Sequence, residues 1–186
     1  MSGLAPRAPG EIVRPRRSSG VVVRPLNFTV RWLGAAPLAT IGESRDSCAF
    51  CEYLAGTRPC AFVRRTDAVA SFVNLRQYER GALLVVPTRH ASTVLDLHPD
   101  IVGLVHAEAA LLGRALVRAF GATGLNIFQN NGVDAGQHVA HFHTHVVPRY
   151  PGSDPTRIYL QGDFEPVPMS EQETIARSVR SALEAI

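Results

Sequence analysis

The chain has 186 residues, of which 46% are hydrophobic, enough for one domain of ordinary size with extensions. All 19 basic residues are arginine, so the chain has neither a P-loop lysine nor a Schiff-base lysine. This excludes Walker-type NTPases and pyridoxal-phosphate enzymes. No apolar run approaches the ~18–20 residues that cross a membrane. The run Val21-Val22-Val23 is too short for the apolar part of a signal peptide.

The net charge of +3 is distributed unevenly along the chain. Residues 1–40 contain six arginines and one acidic residue, Glu11, a net +5, whereas the remainder contains 13 arginines and 15 acidic residues, a net −2. The composition of residues 1–40 predicts a partly disordered extension, in which residues 21–33 either form a strand or lie across the domain. An arginine-rich arm can contact nucleic acid, but this one has few interleaved aromatic residues. A solvated tail is the favoured interpretation, and no nucleic-acid partner is expected.

Apolar runs bounded by turn residues predict a series of strands in the rest of the chain. Residues 61–63 and 68–74 predict a hairpin, residues 81–87 a central strand, and residues 124–130 and 139–147 two further strands. Several short strands with one long intervening helix are typical of an α+β domain with an antiparallel sheet of about five strands.

Two helices are predicted. Pro99 suits the first turn of a helix that runs to Phe120, and Gly121 suits its exit. His98 and His106, at the start of this helix and within it, are interpreted as surface or capping residues. Ser170 with Glu173 has the pattern of a capping box, which predicts a C-terminal helix through about residue 185.

Four of the seven histidines lie within residues 138–145. His141, His143 and His145 alternate with other residues, so on a strand the three imidazoles face one way. Buried imidazoles cost free energy unless their nitrogens find partners, so this row indicates chemistry. His141 and His145 are roughly 13 Å apart on a regular strand, too far for one metal ion to bind all three rings. At least one neutral imidazole is then available as a nucleophile or general base.

The segment before this row, residues 132–137, is a small-residue loop that can bring backbone N–H groups close to an anion. His138 is out of phase with the other three histidines and on a regular strand would point to the other face. A bend would change that, so donation to a phosphate, action as an acid and an outward orientation all stay open.

These residues resemble the histidine triad (HIT) family of nucleotide hydrolases and transferases. The family pattern, three histidines alternating with apolar residues, reads here His141-Phe142-His143-Thr144-His145-Val146-Val147. The lead-in over 130–137 is also similar. The exit Val147-Pro148-Arg149 is more like the dinucleoside-polyphosphate hydrolase branch than the small phosphoramidase branch. Residues 71–75 and 81–90 resemble the family's nucleoside-binding strands. The likeness covers about 47–150.

The resemblance implies a HIT-like domain over 41–152, with a C-terminal extension over 153–186. It also implies a role for each matching residue. His143 would attack the α-phosphate as the nucleophile, with His145 and His141 as the other catalytic histidines. The implied phosphate and nucleotide ligands are Asn130, Gly136, Gln137 and His138, with Asn74 on the ribose and Phe50, Tyr53, Phe72 and Leu75 around the base. The family usually has Ser or Thr where this chain has His138.

Cys48 and Cys51 form a Cys-x-x-Cys pair, which by itself is compatible with redox chemistry or metal binding. In some bacterial HIT proteins this pair binds zinc together with two histidines that correspond to His90 and His141. The resemblance therefore implies a structural zinc site and no organic cofactor. The other interpretation is two reduced, part-buried thiols. Cys60 is interpreted as a small buried hydrophobe. Three cysteines, an odd number, fit a reducing, cytoplasmic location.

The expected function is cleavage at the α-phosphate of a (di)nucleoside polyphosphate through a covalent nucleotidyl-histidine intermediate. A nucleoside phosphoramidase or a dinucleotide phosphorylase of the same family is one alternative. A metal-dependent hydrolase that uses the histidine cluster and a non-catalytic nucleotide-binding module are two others. The family likeness implies an adenosine-type substrate and a homodimer.

Overall fold

The structure, a computed structural model, describes residues 48–158 and 164–186, and the side chains of 157 and 158 are not described. The predicted N-terminal extension, including residues 21–33, lies outside the described residues. Residues 41–47, the first part of the expected domain, also lie outside them.

Five strands form one antiparallel sheet in the order β1-β2-β3-β5-β4. They are β1 (Phe62–Arg65), β2 (Val69–Val73), β3 (Leu83–Pro87), β4 (Gly124–Phe128) and β5 (Thr144–Arg149). β1 and β2 form the predicted hairpin, and β3 lies at the centre of the sheet, where all five of its residues are buried. The expected α+β fold with an antiparallel sheet of about five strands is confirmed.

Three helices accompany the sheet: α1 (Ala49–Ala55), α2 (Pro99–Phe120) and α3 (Met169–Leu183). α2 has the predicted bounds. His98 caps its first turn by accepting a hydrogen bond from the backbone N–H of Asp100, and Gly121 ends it at φ 68°. α1 was not predicted from the sequence. It begins directly after Cys48, which places the Cys-x-x-Cys pair at a helix N-terminus.

The two faces of the sheet carry different layers, because side chains alternate along each strand. α2 and α3 cover one face, and their apolar residues pack there against Val63, Val85 and other alternate strand residues. A smaller cluster packs on the opposite side around α1; it contains Cys48, Phe50, Leu54, Ala70, Phe72, Leu84 and Val86. This second, thinner layer is the one that borders the candidate site.

The predicted strands differ from the observed ones by one or two residues at most ends, and two larger errors stand out. The last strand begins at Thr144 and not at residue 139, because the backbone before it makes other hydrogen bonds. The N–H of His141 donates to Val139 O at 2.8 Å, and that of Phe142 donates to Ala91 O at 2.6 Å. The predicted capping box of the C-terminal helix is also wrong. α3 begins after Pro168, no side chain caps it, and Ser170 lies inside the helix.

Within the described parts of the chain, no helix combines the length and apolar character that a membrane span requires.

Candidate active site

A cavity of about 530 Å³ lies between α1, β2 and the loop that precedes β5. Ten of the residues that the sequence singled out line it: Phe50, Tyr53, Phe72, Asn74, Leu75, Asn130, Gly136, His138, His143 and His145. These residues come from five separate segments of the chain, and the fold brings them to one place.

His143 lies at the end of the extended segment that leads into β5, and only 6% of it is exposed. Its Nδ1 lies 2.7 Å from the carbonyl oxygen of His141. A carbonyl oxygen can only accept, so Nδ1 carries the hydrogen and Nε2 has the free lone pair. Burial lowers the pKa of His143, and nearby His138 lowers it further against the opposing effect of the backbone hydrogen bond. The ring is therefore neutral at pH 7, with a nucleophilic nitrogen on the cavity wall.

His145 lies on β5, directly opposite Leu84 on β3 and Phe128 on β4. Its ring stacks on Phe128 with centroids 4.4 Å apart, and its centroid is 5.0 Å from that of His143. Burial lowers its pKa to about 3, with smaller effects from His143 and His138. Its buried Nδ1 has no hydrogen-bond partner among the described residues. The ring of His145 is thus neutral at pH 7 and lies beside that of His143.

The loop before β5 places two further residues. His138 is exposed and lines the cavity with His143 and His145, so the bend in this loop brings the fourth histidine to the site. Asn130 donates from Nδ2 to Gly136 O at 3.2 Å, and Gly136 has φ 79°, a conformation that favours glycine. These contacts hold the loop closed next to the cavity.

The side chain of Gln137 makes its hydrogen bonds within the protein. This side chain is 3% exposed and lies within the loop, and it is not one of the residues that line the cavity. Oε1 accepts from the N–H of Gly132 at 2.7 Å, and Nε2 donates to Ser92 O at 2.6 Å and to Val139 O at 2.9 Å. Both amide hydrogens and one lone pair of the amide oxygen thus make hydrogen bonds within the protein, and these bonds stabilise the loop.

On the opposite wall, Asn74 follows β2 and is 7% exposed. Its Oδ1 accepts from the backbone N–H of Arg76 at 3.2 Å, which leaves one lone pair for a ligand hydroxyl. Phe50, Tyr53 and Phe72 form a cluster of rings with centroids 5.4 to 6.0 Å apart. These rings give this part of the cavity an apolar lining.

The first histidine of the triad is separate from this cavity. His141 is fully buried, and its Nδ1 lies 3.5 Å from Cys48 Sγ and 3.6 Å from Cys51 Sγ. Cys51 Sγ also lies 3.4 Å from His90 Nδ1. Among the described residues, these four form the one group of at least three His, Cys, Asp or Glu whose ligand atoms all lie within 4.8 Å of one another.

The geometry of this cluster fits a zinc ion. Zn–S and Zn–N bonds of about 2.3 and 2.0–2.1 Å at tetrahedral angles put N and S atoms about 3.6 Å apart, close to the observed separations. The Nε2 of His141 lies 3.0 Å from Pro87 O and therefore donates to it, which turns the lone pair of Nδ1 toward the thiols. The cluster is thus a potential Cys₂His₂ metal site. The remaining cysteine, Cys60, is half-buried away from it, and burial raises the pKa of its thiol to about 12.

Sequence reasoning missed several residues that line the cavity: Arg58, Arg76, Tyr78, Phe128, Phe164 and Gln172. Only Phe128 had a readable signal, because it lies two residues before Asn130 on an extended segment and so shares its side. Phe164 and Gln172 belong to the C-terminal extension, and no local pattern connects them with the histidines.

Residues 55–152 match the HIT domain family, and the chain belongs to that family. It is 34% identical over 109 residues to Protein hit of Bacillus subtilis, a match that covers 59% of this chain and 75% of that protein. It is also similar to two proteins of Schizosaccharomyces pombe. The adenosine 5'-monophosphoramidase hnt1 is 31% identical over 55% of this chain and 74% of its own. The asymmetrical bis(5'-nucleosyl)-tetraphosphatase is 36% identical over 46% of this chain and 47% of its own.

Solved structures agree with this assignment. A crystal structure of a zinc-bound histidine triad family protein from Mycobacterium smegmatis is 30% identical, with a TM-score of 0.65. The alignment covers 76% of this chain and 96% of that one. The chain is thus a member of a family whose named relatives act on nucleotide phosphoanhydride or phosphoramidate bonds.

Proposed function

We propose that the protein is a nucleotide hydrolase or transferase that cleaves a (di)nucleoside polyphosphate at its α-phosphate through a nucleotidyl intermediate on His143. The hydrogen bond from His143 Nδ1 to the carbonyl of His141 carries this proposal. It fixes one tautomer and leaves Nε2 as a neutral nucleophile at the cavity wall. Covalent catalysis then divides one difficult displacement into two easier ones.

In the first step, Nε2 of His143 bonds to the α-phosphorus while the bond from phosphorus to the bridging oxygen breaks. That oxygen leaves with the remaining polyphosphate, and the hydrogen on Nδ1 stays on the ring. The carbonyl of His141 stabilises the positive charge that develops there. In the second step, water attacks the phosphorus, the P–N bond breaks, and one water proton is released as the nucleotide departs. Inorganic phosphate in place of water would give phosphorolysis.

The choice of a dinucleoside polyphosphate is supported by the relative named as a tetraphosphatase. The Val147-Pro148-Arg149 exit adds no contact in the cavity. Arg149 is buried, donates from Nε to Asn126 at 2.7 Å, and lies 3.5 Å from Glu79. Arg149 of this motif therefore stabilises the end of the sheet through its contacts with Asn126 on β4 and with Glu79. The relative named as a phosphoramidase supports the alternative substrate, an adenylylated amine.

We further propose that Cys48, Cys51, His90 and His141 hold a structural zinc ion. Four protein ligands leave no open coordination position for a substrate or a reactive water. The two imidazoles nearest the nucleotide, His143 and His145, then act without this metal. This arrangement argues against a hydrolase in which triad histidines share a catalytic metal.

A homodimer is part of the same proposal. β4 is an edge strand of the sheet, and its Leu125 and Ile127 are 37% and 43% exposed. An edge strand with exposed apolar residues is a natural pairing surface. Light scattering of the purified chain in solution tests this, with a monomer at micromolar concentration as the contrary result.

Trapping the intermediate tests the mechanism. The enzyme is mixed with diadenosine tetraphosphate or an adenosine phosphoramidate, denatured at alkaline pH where phosphohistidine-type bonds persist, and digested. Mass spectrometry is expected to find an adenylyl group on the peptide that contains His143, and none in a His143→Ala variant. An adduct on another residue, or none during active turnover, would overturn the proposal. Binding without any turnover would instead favour a non-catalytic module.

A further inference from the structure

The cavity has two aromatic walls. The first consists of Phe50, Tyr53 and Phe72, which the sequence had marked as a base pocket. The second, here called the distal wall, consists of Tyr78, Phe128 and Phe164. In the distal wall the centroid of Tyr78 lies 5.2 Å from that of Phe164 and 6.3 Å from that of Phe128.

The histidine pair lies between these walls. Phe50 contacts His143 at 5.1 Å between centroids, His143 contacts His145 at 5.0 Å, and His145 stacks on Phe128 at 4.4 Å. Tyr78 also contacts His145, at 5.8 Å. The two histidine rings thus connect one aromatic wall to the other.

The distal wall does not belong to the protein core. None of its three rings is part of either hydrophobic cluster among the described residues, and all three line the cavity while only half-buried. Aromatic rings left facing a cavity gain free energy when a flat apolar group covers them. This wall is therefore suited to a ligand ring.

The charge of Arg76 and the neutral hydroxyl of Tyr78 indicate what kind of ligand ring this wall would bind. Arg76 lines the same cavity as Tyr78 and carries a positive charge there, whereas burial raises the pKa of the Tyr78 hydroxyl and the charge of Arg76 offsets only part of that rise. A cation beside an aromatic wall suits a heterocycle that carries phosphates, because phosphate binds guanidinium groups strongly. Tyr78 remains neutral at pH 7 and acts as an aromatic surface.

The C-terminal extension completes this wall and is held in place by backbone contacts. The N–H of Val167 donates to Leu75 O at 3.0 Å, and Pro166 forms a β-bridge with Arg76. Gln172 at the start of α3 donates to Val167 O at 2.8 Å. Phe164 thus lines the cavity from a segment that bonds both to the residues after β2 and to α3.

We propose that the distal wall and Arg76 form a second nucleoside subsite, which binds the base and phosphates of the leaving nucleotide. The substrate class is then a dinucleoside polyphosphate, with one base in each aromatic wall. This inference rests on the proposed function and specifies which substrate the site prefers. In the cleavage step, the bridging oxygen leaves as part of the nucleotide held by the distal wall.

The test compares two substrates that share the first nucleoside. Diadenosine tetraphosphate has a second base, whereas an adenosine phosphoramidate has a small amine in its place. Phe164→Leu keeps bulk but removes the aromatic face, and we expect the ratio of kcat/KM for the two substrates to fall about tenfold. Phe120→Leu is the matched control, because Phe120 is also half-buried but lies at the end of α2, where its ring packs next to Gly81 and does not line the cavity. Its ratio is expected to equal that of wild type.

A second pair of variants keeps the test decisive if Phe164→Leu destabilises the extension. Arg76→Gln changes an exposed side chain at the cavity, whereas Arg114→Gln changes an exposed side chain on α2 outside it. Only the first is expected to lower the ratio, by about fivefold, and the loss is expected to shrink at high salt. Ratios within twofold of wild type for both Phe164→Leu and Arg76→Gln would overturn the second subsite.

Failure of the second subsite and failure of the proposed function give different results. If an adenylyl adduct forms on His143 while the substrate ratios do not change, the mechanism stands and the distal subsite is wrong. If no adduct forms with either substrate, the proposed function itself fails. Binding of diadenosine tetraphosphate and of AMP to a His143→Ala variant gives a readout without turnover. Adding Phe164→Leu is expected to weaken the first binding about tenfold more than the second.

Discussion

His141 serves two sites at once: its Nδ1 lies 3.5 Å from Cys48 Sγ, and its carbonyl oxygen accepts the Nδ1 hydrogen of His143 at 2.7 Å. A metal held by the ring of His141 would therefore also fix the peptide that selects the tautomer of His143. The proposed metal site and the proposed nucleophile are therefore linked through one residue, although the two rings lie in different surroundings.

Replacing the nucleophile is expected to abolish turnover while binding persists. His143→Ala should lower kcat by at least about 10³-fold, because it removes the nitrogen that is proposed to bond to the α-phosphorus. Nucleotide affinity, measured by calorimetry, should change only a few-fold. His106→Ala is the matched control, since His106 is exposed on α2 and bonds only to Val102 O in the described structure. Turnover near the wild-type rate in His143→Ala would contradict the mechanism.

Removing one thiol is expected to remove the zinc. Metal analysis of the native protein should find one zinc per chain, and Cys48→Ser should lose it and melt about 10 °C lower, because binding energy of a structural zinc is folding energy. Cys60→Ser, a thiol outside the cluster, should retain the zinc. Equal zinc content in the Cys48 variant and the native protein would show that these four side chains are not the ligands.

Acid is expected to destabilise the fold through its buried imidazoles. Burial lowers the pKa of His145 from 6.5 to about 3, so between these values the unfolded chain binds a proton that the folded chain does not. Stability is then fully present above pH 6.5 and is lost as the pH falls toward 3, by up to about 1.4 kcal/mol per pH unit for this one group. Urea unfolding from pH 7.5 to pH 4 measures the slope.

His145→Gln is the comparison for this pH dependence. Glutamine does not titrate, so the variant should show a shallower slope over the same interval, with the remainder due to the other buried histidines. An unchanged slope would mean that His145 is solvated or already protonated in the folded state at these pH values.

Gln137 is expected to act through the loop that it braces. Gln137→Ala removes three hydrogen bonds from a buried amide, which should lower the free energy of unfolding by about 2–3 kcal/mol and slow turnover as the loop shifts. Gln129→Ala, which loses a single bond from Thr144 at 3.3 Å, should cost less than about 1 kcal/mol. A large loss of activity with no loss of stability would instead indicate direct contact with phosphate.

Local signals predicted α2 well and α1 not at all. α2 has a proline at its start, a glycine at its end and a long apolar stripe between them, all of which lie within one segment. α1 has only seven residues, too few for a periodic pattern. It is stabilised by Phe50 and Leu54 packing on the sheet, a contact that depends on strands formed later in the chain.

The start of β5 was also mispredicted because it depends on a contact that is distant in the sequence. Alternation of apolar and polar residues extended the predicted strand back to residue 139, but Phe142 N–H bonds to Ala91 O and not to a neighbouring strand. That partner is 51 positions earlier in the sequence, and local pattern contains no information about it. The alternation still indicated correctly that His143 and His145 lie side by side.

The sequence by itself determined which chemical groups this protein has: the row of imidazoles, the cysteine pair and the absence of lysine are properties of residue types and their spacing. Only the tertiary structure decided how these groups are divided. In the folded chain His141 lies against the thiols, whereas His143 lines the cavity. The amide of Gln137 bonds within the loop, and Phe164 lies beside Tyr78. Spacing along a chain fixes which groups can share a strand face, but the partner that each ring nitrogen meets is set by long-range packing.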